Sequence, residues 1–294
     1  MSNKIFICVV TLFTLICVST AAVSQSVQTV RHIALKGKDT QTGYYFYDVL
    51  ELALAKTVKT HGQYNLQNSK VVMRQGRAIK QLVDSNLIDV IWTMTSIERE
   101  QQLIPVRIPL LKGLLGYRVF IICKGNQQAF SDINSLSQLS KLTAGLGHDW
   151  PDTQILRANG LPVVTNSNFE GLFGMLQKGR FDYFPRGVNE AWAEVALHKE
   201  NNVAVEQSLL LQYPAPLYFF VSPNNAKLAQ RLEQGLRIAL ADGSFDRLFY
   251  QHLHPETLIN LQSMNKRKTF TLKNPLLPQL TPLQDKALWL TVSE

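Results

Sequence analysis

The sequence predicts an α/β protein of two lobes, the chain running through the first, then the second, then back to the first. Three observations carry this prediction. The chain has 294 residues, enough for about two domains. Short apolar runs alternate with amphipathic helical stretches from residue 29 onward. The alternation falls into two separate blocks, and a third stretch near the C-terminus reads as a return to the first. Composition agrees: 46% hydrophobic and 18% charged residues supply real cores and exclude a disordered chain. Sixteen glycines and twelve prolines exclude collagen-like or low-complexity sequence.

The N-terminus reads as an export leader, residues 1–24. Lys4 is its only charge, an apolar run from Ile5 to Val18 follows, and Ser19–Ser24 are small or apolar, which predicts cleavage near 21–24. The run is shorter than the roughly 20 residues that span a bilayer. Ile16 before Cys17 argues against lipidation, so a soluble exported protein is expected. In the first lobe (25–113), Phe46, Leu50, Ala53, Leu54 and Val58 form the stripe of a helix near 45–58. Val71-Val72-Met73 reads as a strand, Ile79, Leu82 and Val83 as a helix face, and Ile88–Trp92 as the next strand, a βαβ unit.

In the second lobe (114–213), Tyr117–Cys123 and Thr143–Leu146 read as strands, and Pro151-Asp152 suits a helix start. Pro162–Val164 is a further strand, and Phe169, Leu172, Phe173 and Leu176 form a helix face that Gly179 ends. Phe181–Phe184 reads as a strand, and Val188, Trp192, Val195 and Ala196 mark a helix. The return (214–255) holds a strand at Leu217–Ser222, a long helix through Leu228–Leu240 stopped by Gly243, and a shorter one at Phe245–Phe249. Beyond it, a basic run and recurrent prolines predict an extended tail, 256–294, packed on a lobe.

Most chemistries find no support. With Cys8 and Cys17 in the leader, Cys123 alone remains, so no internal disulfide or multi-cysteine metal site is expected, and its apolar strand makes it a buried position. No Gly-x-Ser-x-Gly elbow, Gly-rich phosphate loop or His-Glu-x-x-His is present, and His252-x-His254 would point to different sides of a helix. The net charge of +8 favours anionic partners, but the basic residues are spread along the chain without a nucleic-acid-binding module. No metal, cofactor or nucleic-acid partner is expected.

Two segments place an arginine where α/β proteins hold ligands, at the C-terminal end of a strand. One is Ile88-Asp89-Val90-Ile91-Trp92-Thr93-Met94-Thr95-Ser96-Ile97-Glu98-Arg99. The other is Gly179-Arg180-Phe181-Asp182-Tyr183-Phe184-Pro185-Arg186-Gly187. The passage Asn86–Arg99 that contains the first, followed by Ile108-Pro109-Leu110, resembles the “G-x-I-D … T-x-T-x-x-R … P-Y” passage of extracellular solute-binding proteins of family 3, the polar amino-acid type of periplasmic receptor serving ABC importers. Gly179-Arg180-Phe181-Asp182 resembles that family's “G-R-x-D” strand, and Ala241–Leu248 its “D-G-T-Y-D-K” junction. The resemblance covers roughly residues 29–254.

The resemblance implies a type II periplasmic-binding-protein fold. Two lobes would be joined by crossovers near 112–117 and 210–216, a ligand held between them, and no chemistry done on it. In the family an arginine three residues after the second hydroxyl grips a carboxylate; here Arg99 lies one residue later. The family's second-lobe acid falls at Gly187, beside Arg186, and its anion-binding turn is replaced by His148-Asp149-Trp150-Pro151-Asp152-Thr153. These departures point away from a standard L-amino acid and toward a small anionic or carboxylate-bearing solute. The expected ligand set is Arg99 and Arg186 from opposite lobes, Thr93 and Thr95, an aromatic wall of Trp92, Trp150, Tyr45 and Tyr44, and Arg77. A monomer is expected, delivering its solute to an ABC permease. The alternatives are a protein that reports to a membrane sensor, a periplasmic hydrolase or lyase reusing the fold, and an inert scaffold.

Overall fold

The computed structural model describes residues 27–33, 40–69, 71, 73–84, 87–262 and 264–290. The expected leader lies outside the described residues. No helix among the described residues is long and apolar enough to cross a membrane.

The first lobe follows from alternation. Strand β1 (Gln28–His32) leads to helix α1 (Thr40–Lys56) and the single turn α2 (Val58–His61). Strand β2 (Tyr64–Asn68), helix α3 (Gln75–Asp84), strand β3 (Val90–Met94), helix α4 (Ile97–Gln102) and strand β4 (Ile104–Val106) complete the passage. Of the strand expected at 71–73, Val72 lies outside the described residues and Val71 and Met73 are in no strand; the strand found before α3 is β2, which pairs in parallel with β1 over five positions. β2 is a polar edge strand in which only Tyr64 and Leu66 pack on the core, so its signal was weaker than that of the apolar residues after it.

The second lobe begins at β5 (Tyr117–Cys123), followed by the short helices α5 (Gln127–Ser131) and α6 (Leu136–Leu139). Then come β6 (Ala144–Gly147), α7 (Pro151–Ala158), β7 (Val163–Asn166) and α8 (Phe169–Gln177). β8 (Phe184–Gly187), α9 (Ala191–Leu197), β9 (Val203–Val205) and β10 (Leu209–Gln212) close it. The strand expected at Phe181–Phe184 begins only at Phe184, because the Phe181 ring turns in to lie on Gly145, where a Cβ would sit 2.2 Å from it.

The chain then returns with β11 (Leu217–Val221), α10 (Ala226–Ala241) and α11 (Ser244–His252). The first sheet has the order β2-β1-β3-β11-β4, with β11 antiparallel to both neighbours. Its strands obey period 2: Val90, Trp92, Met94, Phe219 and Val221 face the α1/α10 side, while Ile91, Tyr218 and Phe220 face the α3 side. α10 lies so close on α1 that a Cβ at Gly235 would sit 1.9 Å from the Ala53 carbonyl oxygen. In the second sheet β5 lies between β10 and β8 and also pairs with β9, and β6 and β7 form a parallel pair beside it.

Beyond α11, helix α12 (Pro255–Leu261) leads to β12 (Lys268–Thr271), which adds to the second lobe's sheet in parallel with β10. The two crossovers, after β4 and after β10, run side by side: the Tyr213 N–H donates to the Gly116 carbonyl at 3.1 Å. A Cβ at Gly116 would lie 2.1 Å from the Tyr213 carbonyl oxygen, so only glycine permits this approach.

Candidate binding cleft between the lobes

A cleft of about 490 Å³ opens between the two sheets. The first lobe lines it with the ends of its strands and with α3: Ile33, Met73, Gln75, Ile91, Trp92, Thr93 and Met94. The second lobe contributes Arg118, Trp150, Asp152, Phe169, Glu170, Arg186 and Glu190. A second hollow of about 580 Å³ adjoins it at the mouth, lined by α3, the start of α4, the loop before α7 and Leu276. Trp150 and Pro151 border both.

Arg99 lines the second hollow, and two of its partners, Gln75 and Thr93, line the cleft. Ser96 caps α4 by accepting from the Arg99 N–H at 3.2 Å, which fixes the side chain back over the end of β3. Its Nη1 donates to Thr93 Oγ1 at 2.8 Å and to the Met94 carbonyl at 2.6 Å. Its Nη2 donates to Gln75 Oε1 at 2.7 Å and, across the mouth, to the Asp149 carbonyl at 3.2 Å. All four acceptors are uncharged, and the residue is only 8% exposed. Burial pulls the guanidinium down to about 10, against the pull of the Asp149, Asp152 and Glu98 charges. Asp149 spans the mouth a second time, its carboxylate accepting from the Gly76 N–H of α3 at 3.0 Å.

Arg186 borders the cleft itself, in different company. Its fork donates to both oxygens of Glu194, Nε at 2.7 Å and Nη2 at 2.5 Å, and Glu190 lies 3.2 Å away. The guanidinium plane meets three aromatic rings, Trp150, Phe184 and Phe169, at 4.9, 5.2 and 5.3 Å from their centroids. Deeper still, Arg118 pairs with Asp152 at 2.6 Å and with Glu190 at 3.5 Å. Burial alone would lower Arg118, but Asp152, Tyr213 and Glu190 outweigh it and raise it. Tyr213 donates its hydroxyl to Asp152 at 2.5 Å and is itself raised well above its ordinary value, by burial first. The two arginines that line the cleft from the second lobe, Arg118 and Arg186, are therefore already matched by carboxylates.

The aromatic wall forms in part. Trp92 is half-buried and stacks on Phe46 at 5.5 Å. Trp150 stacks on Phe184 at 6.2 Å, its indole lying on Gly147, where a Cβ would approach it to 2.5 Å. Thr93 lines the cleft and holds Arg99.

Four expected residues lie elsewhere. Tyr45 sits in the first lobe's core, its hydroxyl donating to the Leu110 carbonyl, because it shares the buried face of α1 with Phe46 and Val49. Thr95 is fully buried and donates to Glu100 at 2.7 Å. Arg77 is exposed on α3 and lines neither hollow, and Tyr44 is exposed as well. The residues missed were Arg118, Asp152, Glu190, Glu194 and Gln75. The four-residue spacing Arg186, Glu190, Glu194 and the single charge inside the apolar Tyr117–Cys123 strand were the available signals.

No protein-family model matches the sequence, and no curated protein matches it. Solved structures do match. An ancestral arginine-binding protein bound to arginine is 21% identical with a TM-score of 0.57, covering 77% of this chain and 98% of that one. A Streptococcus mutans structure, from the glutathione import system of GshT and the cystine ABC importer TcyBC, is 14% identical with a TM-score of 0.58, covering 78% and 95%. The VFT2 domain of Bordetella pertussis BvgS is 16% identical with a TM-score of 0.58, covering 76% and 92%. The chain thus has the two-lobed, type II fold of the periplasmic solute-binding proteins, the fold that its resemblance to family 3 implied.

Proposed function

We propose that this chain is an exported solute-binding protein that holds a small carboxylate-bearing solute between its lobes and does no chemistry on it. The observation that carries the reading is Arg99: a buried cation in the hollow at the mouth of the cleft, whose acceptors are a hydroxyl, two backbone carbonyls and an amide. Burying a charge without a counter-charge is costly, and a carboxylate displacing Gln75 and the Asp149 carbonyl would offset that cost. Arg186, held by Glu194, is assigned the aromatic wall rather than the solute's carboxylate. Against Arg118 and Arg186, the second lobe sets Asp152, Glu170 and Glu190 along the cleft, so the far end of the solute is expected to carry hydrogen-bond donors. Delivery to an ABC importer is the favoured outcome of binding.

The test is titration calorimetry on the exported form, pairing carboxylates with their amide isosteres. Two charge-assisted bonds at about 1.5 kcal/mol each predict about 100-fold weaker binding of the amide, and a similar loss in Arg99→Met. A solute held equally well by Arg99→Met would overturn the assignment. Pull-down of permease subunits, against capture by a sensor's periplasmic domain, distinguishes transport from signalling.

A further inference from the structure

The tail does more than pack on one lobe. Its β12 pairs with β10 over four positions, from Leu209↔Lys268 to Gln212↔Thr271. Asn159, at the C-terminal end of α7, then fixes Lys273 twice: Asn159 Nδ2 donates to the Lys273 carbonyl at 2.8 Å, and the Lys273 N–H donates to Asn159 Oδ1 at 3.0 Å. Both anchors belong to the second lobe. One residue on, Asn274 Nδ2 donates to the Pro214 carbonyl of the second crossover at 2.7 Å. Two residues later the tail is bound to the first lobe, where the Ile97 N–H at the start of α4 donates to the Leu276 carbonyl at 2.9 Å. The tail ends on the first crossover: the Leu290 N–H donates to the Lys112 carbonyl at 2.8 Å, and the Trp289 ring covers Gly113, where a Cβ would sit 2.6 Å from it.

We propose that segment 268–290 is a strap that sets how far the cleft opens and holds the helix bearing Arg99 in place. Its reach is short. Lys273 and Leu276 are three residues apart, and three extended residues span at most about 11 Å. While both anchors hold, the end of α7 and the start of α4 cannot part further than that tether allows. These helices border the mouth from opposite lobes, and Leu276 itself lines the hollow beside Arg99. The hinge of this protein therefore works through a small arc, and the strap is the third component of the site after the two lobes.

The experiment reads lobe separation without any solute, so its outcome is independent of the ligand assignment. Spin labels go on Gln101→Cys of α4 and Ala158→Cys of α7, both exposed, in a Cys123→Ser background, and pulsed dipolar spectroscopy measures their distance distribution. The native strap is expected to give one narrow distribution. Inserting four Gly/Ser residues after Asn274 keeps every anchor and lengthens the tether by roughly 13 Å. That variant is expected to add a population at least about 5 Å longer. Asn159→Ala/Asn274→Ala, which removes three anchoring bonds at unchanged length, is expected to broaden the distribution in the same direction and serves if the insertion fails to fold. Identical distributions in native and variant chains, or a native distribution already broad, would overturn the proposal.

Discussion

The pair Arg186–Glu194 offers the sharpest test of how this cleft is charged. Both side chains are 7% exposed, and the guanidinium engages both carboxylate oxygens. Breaking a buried pair by removing one partner costs about 3–5 kcal/mol, because the survivor keeps its desolvation penalty. Here Glu190 remains 3.2 Å from Arg186 and three aromatic faces surround it, which places Glu194→Gln near the lower end, about 3 kcal/mol. Arg186→Met strands Glu194 and is expected to cost about the same. The double variant Arg186→Met/Glu194→Leu replaces both charges with apolar groups of similar bulk and is expected within about 1 kcal/mol of the native chain. The assay is equilibrium unfolding in guanidinium chloride, followed by tryptophan fluorescence, which Trp150 beside Arg186 reports. A coupling energy near zero, with the two single losses simply adding, would refute the reading of Arg186 as pre-neutralised. A second readout follows from the same geometry. Glu194→Gln releases the Arg186 fork toward the cleft, and a dicarboxylate should bind the variant about tenfold tighter, worth about 1.4 kcal/mol.

Three further perturbations test the frame around the cleft. Gly235→Ala should destabilise by about 3 kcal/mol despite alanine's better helix propensity, because the new Cβ meets the Ala53 backbone at 1.9 Å, and a thermal melt checks it. Gly116→Ala should cost a similar amount, about 3 kcal/mol, by forcing the crossovers apart at Tyr213, and should broaden the lobe separation seen by small-angle scattering. Burial lowers His32 below its ordinary 6.5, its Nδ1 donating to the Ile33 carbonyl and its Nε2 having no hydrogen-bond partner among the described residues. The folded state then prefers the neutral ring, so the stability it contributes is present above pH 6.5 and falls as pH drops below that value. His32→Phe keeps the packing on Tyr47 and Trp92 and should flatten that limb of the pH–stability curve.

Helices were legible because each buries a continuous stripe. The faces at Phe169–Leu176 and Leu228–Leu240 both lie within the observed α8 and α10, and Gly179 and Gly243 end those stretches with φ of +63° and +74°. Strands were most legible where an apolar run is buried on both faces, as in Tyr117–Cys123. Polar β2, three-residue β4 and β9, and β12 in the basic tail take their identity from the neighbour they pair with, which periodicity does not encode. The site divided along the same line. Arg99 was legible because the strand, the hydroxyls and the helix cap that position it are all within a few residues. Tyr45 was misplaced because the α1 stripe that buries it also fits an aromatic wall. Arg118 and Asp152 are 34 positions apart, and only the folded second lobe brings their side chains to 2.6 Å.

The matching of charges in the second lobe changes what closing the cleft requires. Two unmatched guanidiniums facing each other would repel and hold the lobes apart until an anion arrived. In this chain Arg118 and Arg186 already have carboxylate partners, so like-charge repulsion does not oppose approach. What resists closure is the desolvation of one cation, Arg99, and the Asp149 carbonyl relieves part of it by accepting its Nη2 across the mouth. The same residue's carboxylate takes the Gly76 N–H, and the strap joins α7 to α4 a few residues away. The lobes can therefore meet on contacts of their own, and a bound solute contributes only its differential affinity for that closed state over the open one. For a carboxylate, that difference is the replacement of two neutral acceptors of Arg99 by a charged one.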